Sequence, residues 1–403
     1  MKNSTVRVEC LAFMVAAICS VATVVPGAVF AATLTAMPSN FASVFASAQG
    51  GDTILLAAGS YGTFTGALKS GLVTIMPQGA TATMALNFSP ASNITIDGLT
   101  LTSVYMNDSR TKNITVRNST VTGQTTFRTG TLANANILFD RNVHGAWNAG
   151  AGGGEGRVWL PERTSQPSGI TIQNSRFGPG GNSDGIQNGS NGTRILNNEF
   201  VGIKQIDGAA GVHADSIQLY GSQNTVIRSN WFHDVSVGIM CADGCDHETI
   251  EDNVLAVNGS PYAVTLLSDN GSVIRHNTFL NYGTCDYSQP CGQLYLGNKP
   301  ADPVSQGTIL KDNIVTSFCV CDGRVSGLAE ESYNLFTKTT GSGANDVFGK
   351  PTYVGGANPT TLTGFQLAAG SLGKGNASDG LDRGARFSPQ PTPLAAPRNL
   401  RLL

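Results

Sequence analysis

The sequence predicts an all-β chain, a right-handed parallel β-helix of three-strand coils with a repeat near 24 residues and an N-terminal cap helix. Three observations lead there: a recurring asparagine element, a composition that replaces charge with glycine and small polar residues, and an amphipathic segment before the first strand. The element has the form Ile-x-x-Asn-x-apolar and recurs as "VRNSTV", "FDRNV", "IQNSRF", "ILNNEF", "IRSNWF", "IEDNVL", "IRHNTF" and "LKDNIV". Its asparagines are Asn118, Asn142, Asn174, Asn198, Asn230, Asn253, Asn277 and Asn313, with gaps of 24, 32, 24, 32, 23, 24 and 36 residues. A fixed period of this size is the mark of a solenoid. An Asn at the same turn of every coil can stack on its neighbours and satisfy backbone groups as a ladder. Leucine-rich repeats share the period but not the composition, and propeller blades are longer and aromatic.

Composition supports a turn-rich β protein. Of 403 residues only 13% are charged, whereas glycine reaches 49, and the usual charged share is about a quarter. The balance of 25 basic and 27 acidic residues leaves a net charge of −2. No bulk positive field would draw in nucleic acid or an anionic membrane.

Along the chain, residues 1–31 read as an export signal: Lys2 and Arg7 precede the apolar run from Leu11 to Phe30, and "AVFAAT" supplies small residues for cleavage. No membrane span is expected beyond it, and the location expected is secreted or periplasmic. The β-helix domain is expected over 32–388, followed by a Pro-rich tail at 389–403. At its start Phe41, Val44, Phe45 and Ala48 have helical spacing and "DTILLAAG" follows as a strand; a solenoid must cover its open end with such an element. After Phe336 the pattern decays into a segment expected to run back over the last coils. Six cysteines follow the signal, and "CADGC" and "CDYSQPC" could each clip a local loop, leaving "CVC" unassigned. Zinc is the alternative reading of these cysteines.

The stretch "SNFASVFASAQGGDTILLAAGSYG" (39–62) resembles the opening of bacterial β-helix polysaccharide lyases, in which a short cap helix precedes a Gly-Asp-Thr-Ile strand and a Gly-x-Tyr turn. With the coils, the resemblance to the pectate-lyase-like superfamily covers roughly residues 39–335 and implies a carbohydrate-active protein. "NSDG" (182–185) is also similar to the first catalytic motif of polygalacturonases, Asn-Thr-Asp-Gly. The rest of that pattern is absent: Asp215 is followed by Ser216, and the Gly-His-Gly and Arg-Ile-Lys motifs have no counterpart. Kinship of fold is therefore implied, rather than polygalacturonase chemistry.

Chemistry is expected where coils carry insertions, at 144–169 and 202–214. "DGIQNGSNGTRILNNEF" (184–200) and "DSIQLYGSQNTVIRSNWF" (215–232) are near copies. The repeat therefore sets Asp184 beside Asp215 and Gln187 beside Gln218 on neighbouring strands about 4.8 Å apart. Two carboxylates so close need a cation, a shared proton or donors. Four readings follow. The pair could be structural caps and amide ladders; a calcium site with help from Asp207 or Asp234; a glycosidase dyad; or a device that positions a base.

A lyase must neutralise a uronate carboxylate, remove the C5 proton and help the glycosidic oxygen leave. The second insertion offers Lys204 and His213 as bases, and Asp215, two residues on, could orient the imidazole. Gln187, Gln218, Tyr220, Arg157, Arg163 and Trp159 are expected to bind the sugar, with Trp147 as a further stacking platform. His233-Asp234 reads as a turn, and Arg228, Glu251 and Arg275 as a surface charge ladder. The expected function is a monomeric polysaccharide lyase acting on an acidic polysaccharide, with calcium as the one cofactor to test. A hydrolase or C5-epimerase using Asp184 and Asp215, or a non-catalytic carbohydrate-binding or adhesin helix, are the alternatives.

Overall fold

A computed structural model of the chain describes residues 31–149, 156–204, 214–286, 288, 290–297, 301–320 and 327–387. The expected signal segment and the Pro-rich tail lie outside these residues. Within them the chain is a right-handed parallel β-helix. A sheet of 13 strands runs from Thr33–Ala36 to Glu330–Ser332, each strand paired in parallel with its equivalent one coil away. Two further rows of strands close each coil, and a short third sheet joins Ser222–Gln223, Cys245–Asp246 and Asp269–Asn270. Parallel crossovers between such strands are almost always right-handed, because strand twist leaves only that way back onto the sheet.

The cap helix covers Phe41–Ser47. Phe41, Phe45 and Ala48 are buried, and Phe41 and Phe45 meet Phe64 edge-on at 4.9 and 4.8 Å. The helix thus closes the coil end with aromatic surface rather than leaving strand edges open.

Each coil turns sharply after its strand in the large sheet. Asn118, Arg141, Asn174, Asn197, Ser229, Asp252, His276, Asp312 and Tyr333 occupy that corner, all with φ between 51° and 58°. The residue after each is buried and forms the ladder: Ser119, Asn142, Ser175, Asn198, Asn230, Asn253, Asn277, Asn313 and Asn334. Asn118 and Asn174, expected in the ladder, instead make the left-handed turn, which Asn tolerates better than most side chains, and serines take the ladder position beside them. From Asn198 onward the amides are continuous. Asn230 Nδ2 donates to Asn253 Oδ1 at 3.0 Å, Asn253 to Asn277 at 3.0 Å and Asn277 to Asn313 at 3.1 Å. The same oxygens accept backbone N–H groups, and each Nδ2 also reaches a carbonyl of the preceding coil. Beyond Asn334 the series ends on the Asp346 carboxylate.

Inside, one residue per strand fills a narrow core. Phe177, Phe200 and Phe232 stack face to face at 4.9 and 4.7 Å, and His144 heads that column, 4.6 Å from Phe177 with rings 3° from parallel. A second apolar cluster lies outside the coils, where Tyr353, Phe365, Leu367 and Ala385 of the C-terminal segment pack on Val254, Ala256, Ile314 and Leu335. Arg383 ties that segment down by donating to the carbonyls of Asn334 and Asn345 at 2.7 and 2.9 Å. The expected charge ladder is present: Glu251 pairs with Arg275 at 2.9 Å and Arg228 at 3.8 Å, and Arg386 of the C-terminal segment joins it at 3.1 Å.

Cys241–Cys245 and Cys285–Cys291 are disulfides, so zinc is corrected for these four sulfurs. Among the described residues no helix is long and apolar enough to cross a membrane.

Candidate carbohydrate-binding face and its acid pair

Strands Gly156–Leu160, Asp184–Asn188, Asp215–Leu219 and Val237–Cys241 lie side by side and set the site. Their register aligns Val158, Ile186, Ile217 and Ile239, all fully buried, and one residue on aligns Trp159, Gln187, Gln218 and Met240. Strand alternation therefore sends the isoleucines into the core and the Trp–Gln–Gln–Met row outward. Gln187 Nε2 donates to Gln218 Oε1 at 2.5 Å. Trp159 Nε1 donates to the Tyr220 hydroxyl at 3.3 Å, and that hydroxyl donates to the Leu160 carbonyl at 3.3 Å. Burial raises the Tyr220 phenol above its usual pKa, against the opposing hydrogen bond from Trp159. The outward face thus holds an aromatic pair, fixed by its own hydrogen bonds, next to an amide pair.

Asp184 and Asp215 share the parity of the isoleucines, not of the glutamines. Asp184 is fully buried and Asp215 is 4% exposed. Asp184 Oδ1 accepts the Asp215 N–H at 2.8 Å, bridging neighbouring coils. A buried arginine lies close enough to the pair to feel the Asp184 charge. Arg157, 1% exposed, donates to the carbonyls of Gly145 at 2.9 Å, Ser183 at 2.7 Å, Asp184 at 3.1 Å and Gly180. Burial lowers its pKa to about 10, while the Asp184 charge pulls the other way.

Two expectations are corrected here. Arg157 does not face a sugar, because its donors are consumed by four carbonyls. Nor can Asp184 act directly on a polymer, because no surface of it is exposed. Calcium would need oxygens beyond this pair; of the two acids expected to help, Asp234 is paired with Lys204 and Asp207 lies outside the described residues. Among the described residues no group of three or more His, Cys, Asp or Glu could hold a metal.

Lys204 reaches Asp234, its ammonium 2.5 Å from the carboxylate. Arg163 is exposed and lies over Gly221, where an added Cβ would come within 2.0 Å of Arg163 Nε. Glycine there lets the guanidinium cross the backbone. The arrangement unites Trp159, Gln187, Gln218 and Tyr220 on one face with Arg163 at its rim. Lys204 is engaged elsewhere, and His213 and Asp207 lie outside the described residues.

Sequence reasoning missed two acid-bearing groups. His233 and Asp234, read as a turn, belong to strand Trp231–Val235, where His233 Nε2 sits 2.9 Å from Glu199 Oε1 and its ring stacks on Trp231 at 3.8 Å. Burial raises the Glu199 carboxyl, but His233 and Arg176 outweigh it and the net shift is downward. The aligned copies, ending in "NNEF" and "SNWF", already set Glu199 against Trp231, as the register does, but the pair was not read for chemistry. Glu248 is fully buried, accepting from Ser222 Oγ at 2.7 Å and from the Thr225 N–H, and burial pushes its carboxyl up to about 8. Nothing in its sequence context, a short "DHETIED" run, distinguishes it from an exposed acid.

A family model described as periplasmic copper-binding protein (NosD) matches residues 156–291. No curated protein matches by sequence. Among solved structures the chain is similar to the PL6 family alginate lyase AlyGC, at 15% identity over 89% of this chain and 59% of that one, with a TM-score of 0.45. This chain thus spans 59% of that lyase's length. Pectate lyase Pel9A is similar at 14% identity over 88% of this chain and 96% of its own, TM-score 0.45. The PL6 family polysaccharide lyase from Pseudopedobacter saltans is similar at 12% identity, over 90% and 97%, TM-score 0.41. The capped end, three rows of strands and buried Asn ladder make this chain a right-handed parallel β-helix.

Proposed function

We propose that the chain is an exported polysaccharide lyase that cleaves a uronate-containing polymer by β-elimination. The observation that supports this best is the outward row Trp159–Gln187–Gln218, flanked by Tyr220 and Arg163 on rigid parallel strands. Successive strands lie about 4.8 Å apart, close to the rise of one sugar unit along an extended polysaccharide. Aromatic rings stack on sugar faces, amides exchange hydrogen bonds with hydroxyls, and Arg163 offers a guanidinium to a uronate carboxylate. The two disulfides suit an oxidising compartment outside the cytoplasm.

In the proposed reaction a neutral base takes the proton from C5. The electron pair forms the C4–C5 double bond, the bond from C4 to the glycosidic oxygen breaks, and that oxygen leaves with a proton. His213 is assigned as base, because Lys204 is held by Asp234. Asp215, two residues from His213 and bonded to Asp184, anchors the strand from which the base-bearing loop departs. Direct hydrolysis by the two aspartates is disfavoured by their burial.

Purified protein incubated with pectate, alginate and glycosaminoglycans, with and without chelator, tests the reading. Unsaturated product absorbing in the ultraviolet is expected on at least one polymer, and His213→Ala should lower its rate by about 100-fold or more, the range of a lost general base. New reducing ends without that absorbance would replace the lyase by a hydrolase. Binding without turnover would replace it by an adhesin.

A further inference from the structure

We infer that a second cleft, beginning at Gly221, binds a sugar that carries no negative charge. The inference stands on its own observations and does not rest on the lyase reading. The cleft has a volume of about 730 Å³, within the range of about 300–1,000 Å³ typical of ligand pockets. Its floor is the short third sheet, Ser222–Gln223, Cys245–Asp246 and Asp269–Asn270, and its rim carries Arg163, Asp243 and Asp302. The Cys241–Cys245 disulfide closes the loop that presents Asp243, and Arg163 Nη2 reaches the Asp243 carbonyl at 3.4 Å.

Three features select the ligand. The first is charge. Asp243, Asp246 and Asp302 line the cleft with Arg163 as the one cation among its described lining residues, and these together repel a uronate carboxylate. Asp269, fully buried in the floor strand, accepts from the Ser272 and Thr308 hydroxyls, and burial raises its carboxyl above the usual range. The second is donor and acceptor pattern. Gln223 Nε2 donates to Asp246 Oδ2 at 3.1 Å, and Asn270 and Gln306 stand nearby. Planar amides and carboxylates so mixed suit the alternating donors and acceptors of adjacent sugar hydroxyls. The third is an unmet demand. Ser268 lines the cleft and is 8% exposed, and its hydroxyl has no hydrogen-bond partner. Buried hydroxyls are almost always bonded, so this one, at the cleft wall, is left with a bond to make. A metal ion is not the occupant these residues fit, since they include no cluster able to hold one.

The test is calorimetric titration of the purified chain with neutral gluco-, manno- and galacto-oligosaccharides, glucosamine oligomers and oligouronates. Saturable binding of at least one uncharged or amine-bearing oligosaccharide is expected, with no competition from the oligouronates. Ser268→Gly removes the hydroxyl at a position where φ is 56°, which glycine adopts freely, so a melting curve should match the parent. That variant and Asp246→Asn should each weaken binding by about fivefold or more, the loss of one ligand hydrogen bond. Binding of no non-anionic sugar would overturn the inference. So would full affinity in both variants, or displacement by an oligouronate.

Discussion

His144 should make the protein acid-labile, and a single substitution should remove that lability. Its ring heads the column of Phe177, Phe200 and Phe232, and both ring nitrogens are buried without a hydrogen-bond partner. Burial, helped by the Arg157 charge, lowers its pKa to about 3. An unfolded histidine titrates near 6.5, so between these values the unfolded chain binds a proton that the folded chain refuses. Stability therefore falls as pH drops from about 6.5 toward 3. From pH 7.5 to pH 5 the linkage relation gives a loss of about 2 kcal/mol from this group alone. His144→Phe continues the aromatic column and removes the titration. Its fixed packing effect, about 1–3 kcal/mol of either relief or overcrowding, is the same at both pH values and cancels. Denaturant unfolding of parent and variant at pH 7.5 and pH 5 should show the gap between them shifting by about 2 kcal/mol in favour of the variant. The other histidines are common to both proteins and drop out. A gap that does not move with pH would refute the assignment of a buried, neutral imidazole.

Glu248 should act in the opposite direction: with its carboxyl raised to about 8 by burial, stability is complete below about pH 4.5 and declines as pH rises toward 8. Glu248→Gln is then expected to gain about 2–3 kcal/mol relative to the parent between pH 5 and pH 7, read from the same unfolding curves; a constant offset would contradict it. Asn253→Ala strands the Asn230 N–H and the Ile227 carbonyl and should destabilise by about 2–5 kcal/mol, whereas Asn118→Ala at the turn should cost about 1 kcal/mol. Equal effects would mean that the ladder register is wrong. Arg157→Met uncovers four carbonyls and leaves Asp184 without its buried cation, and should cost about 3–5 kcal/mol; a variant as stable as the parent would return Arg157 to the surface.

The coils were legible because period and alternation are physical consequences of pairing each strand with its equivalent one turn on. Gln187 against Gln218 followed from the copies alone. The ladder was misread by one residue at Asn118 and Asn174 because Asn suits both the left-handed corner and the buried amide slot, and sequence shows only the residue type. The direction of Asp184 and Asp215 was readable in principle, since they alternate in step with Ile186 and Ile217. Their carboxylates drew attention to chemistry instead of to burial. Arg157 could not have been assigned from pattern, because its partners are main-chain carbonyls at Gly145, Gly180, Ser183 and Asp184, and carbonyls carry no sequence signal. The same reason hid the short sheet beneath the second cleft, whose strands are two residues long.

What the solenoid consumes determines what is left for function. Arg157, Asp184, His144, Glu248 and the asparagines are all spent inside, holding corners and coils. The outward row gathers at one corner: Trp159, Tyr220 and the hydrogen-bonded pair Gln187 and Gln218 on the strand face, and Arg163 where Tyr220 gives way to Gly221. The two surfaces therefore adjoin, and Arg163 stands at their boundary. On the strand face its guanidinium is the cation that a uronate carboxylate would seek. In the cleft its charge is outweighed by Asp243, Asp246 and Asp302. A polymer lying across the boundary would be sorted by charge, with its acidic unit on the aromatic and amide side and an uncharged unit in the cleft. Under both proposals the preferred substrate is a mixed polysaccharide rather than a pure polyuronate. Asp246→Asn should then narrow the preference for the mixed polymer over the polyuronate, while leaving turnover of the polyuronate itself unchanged.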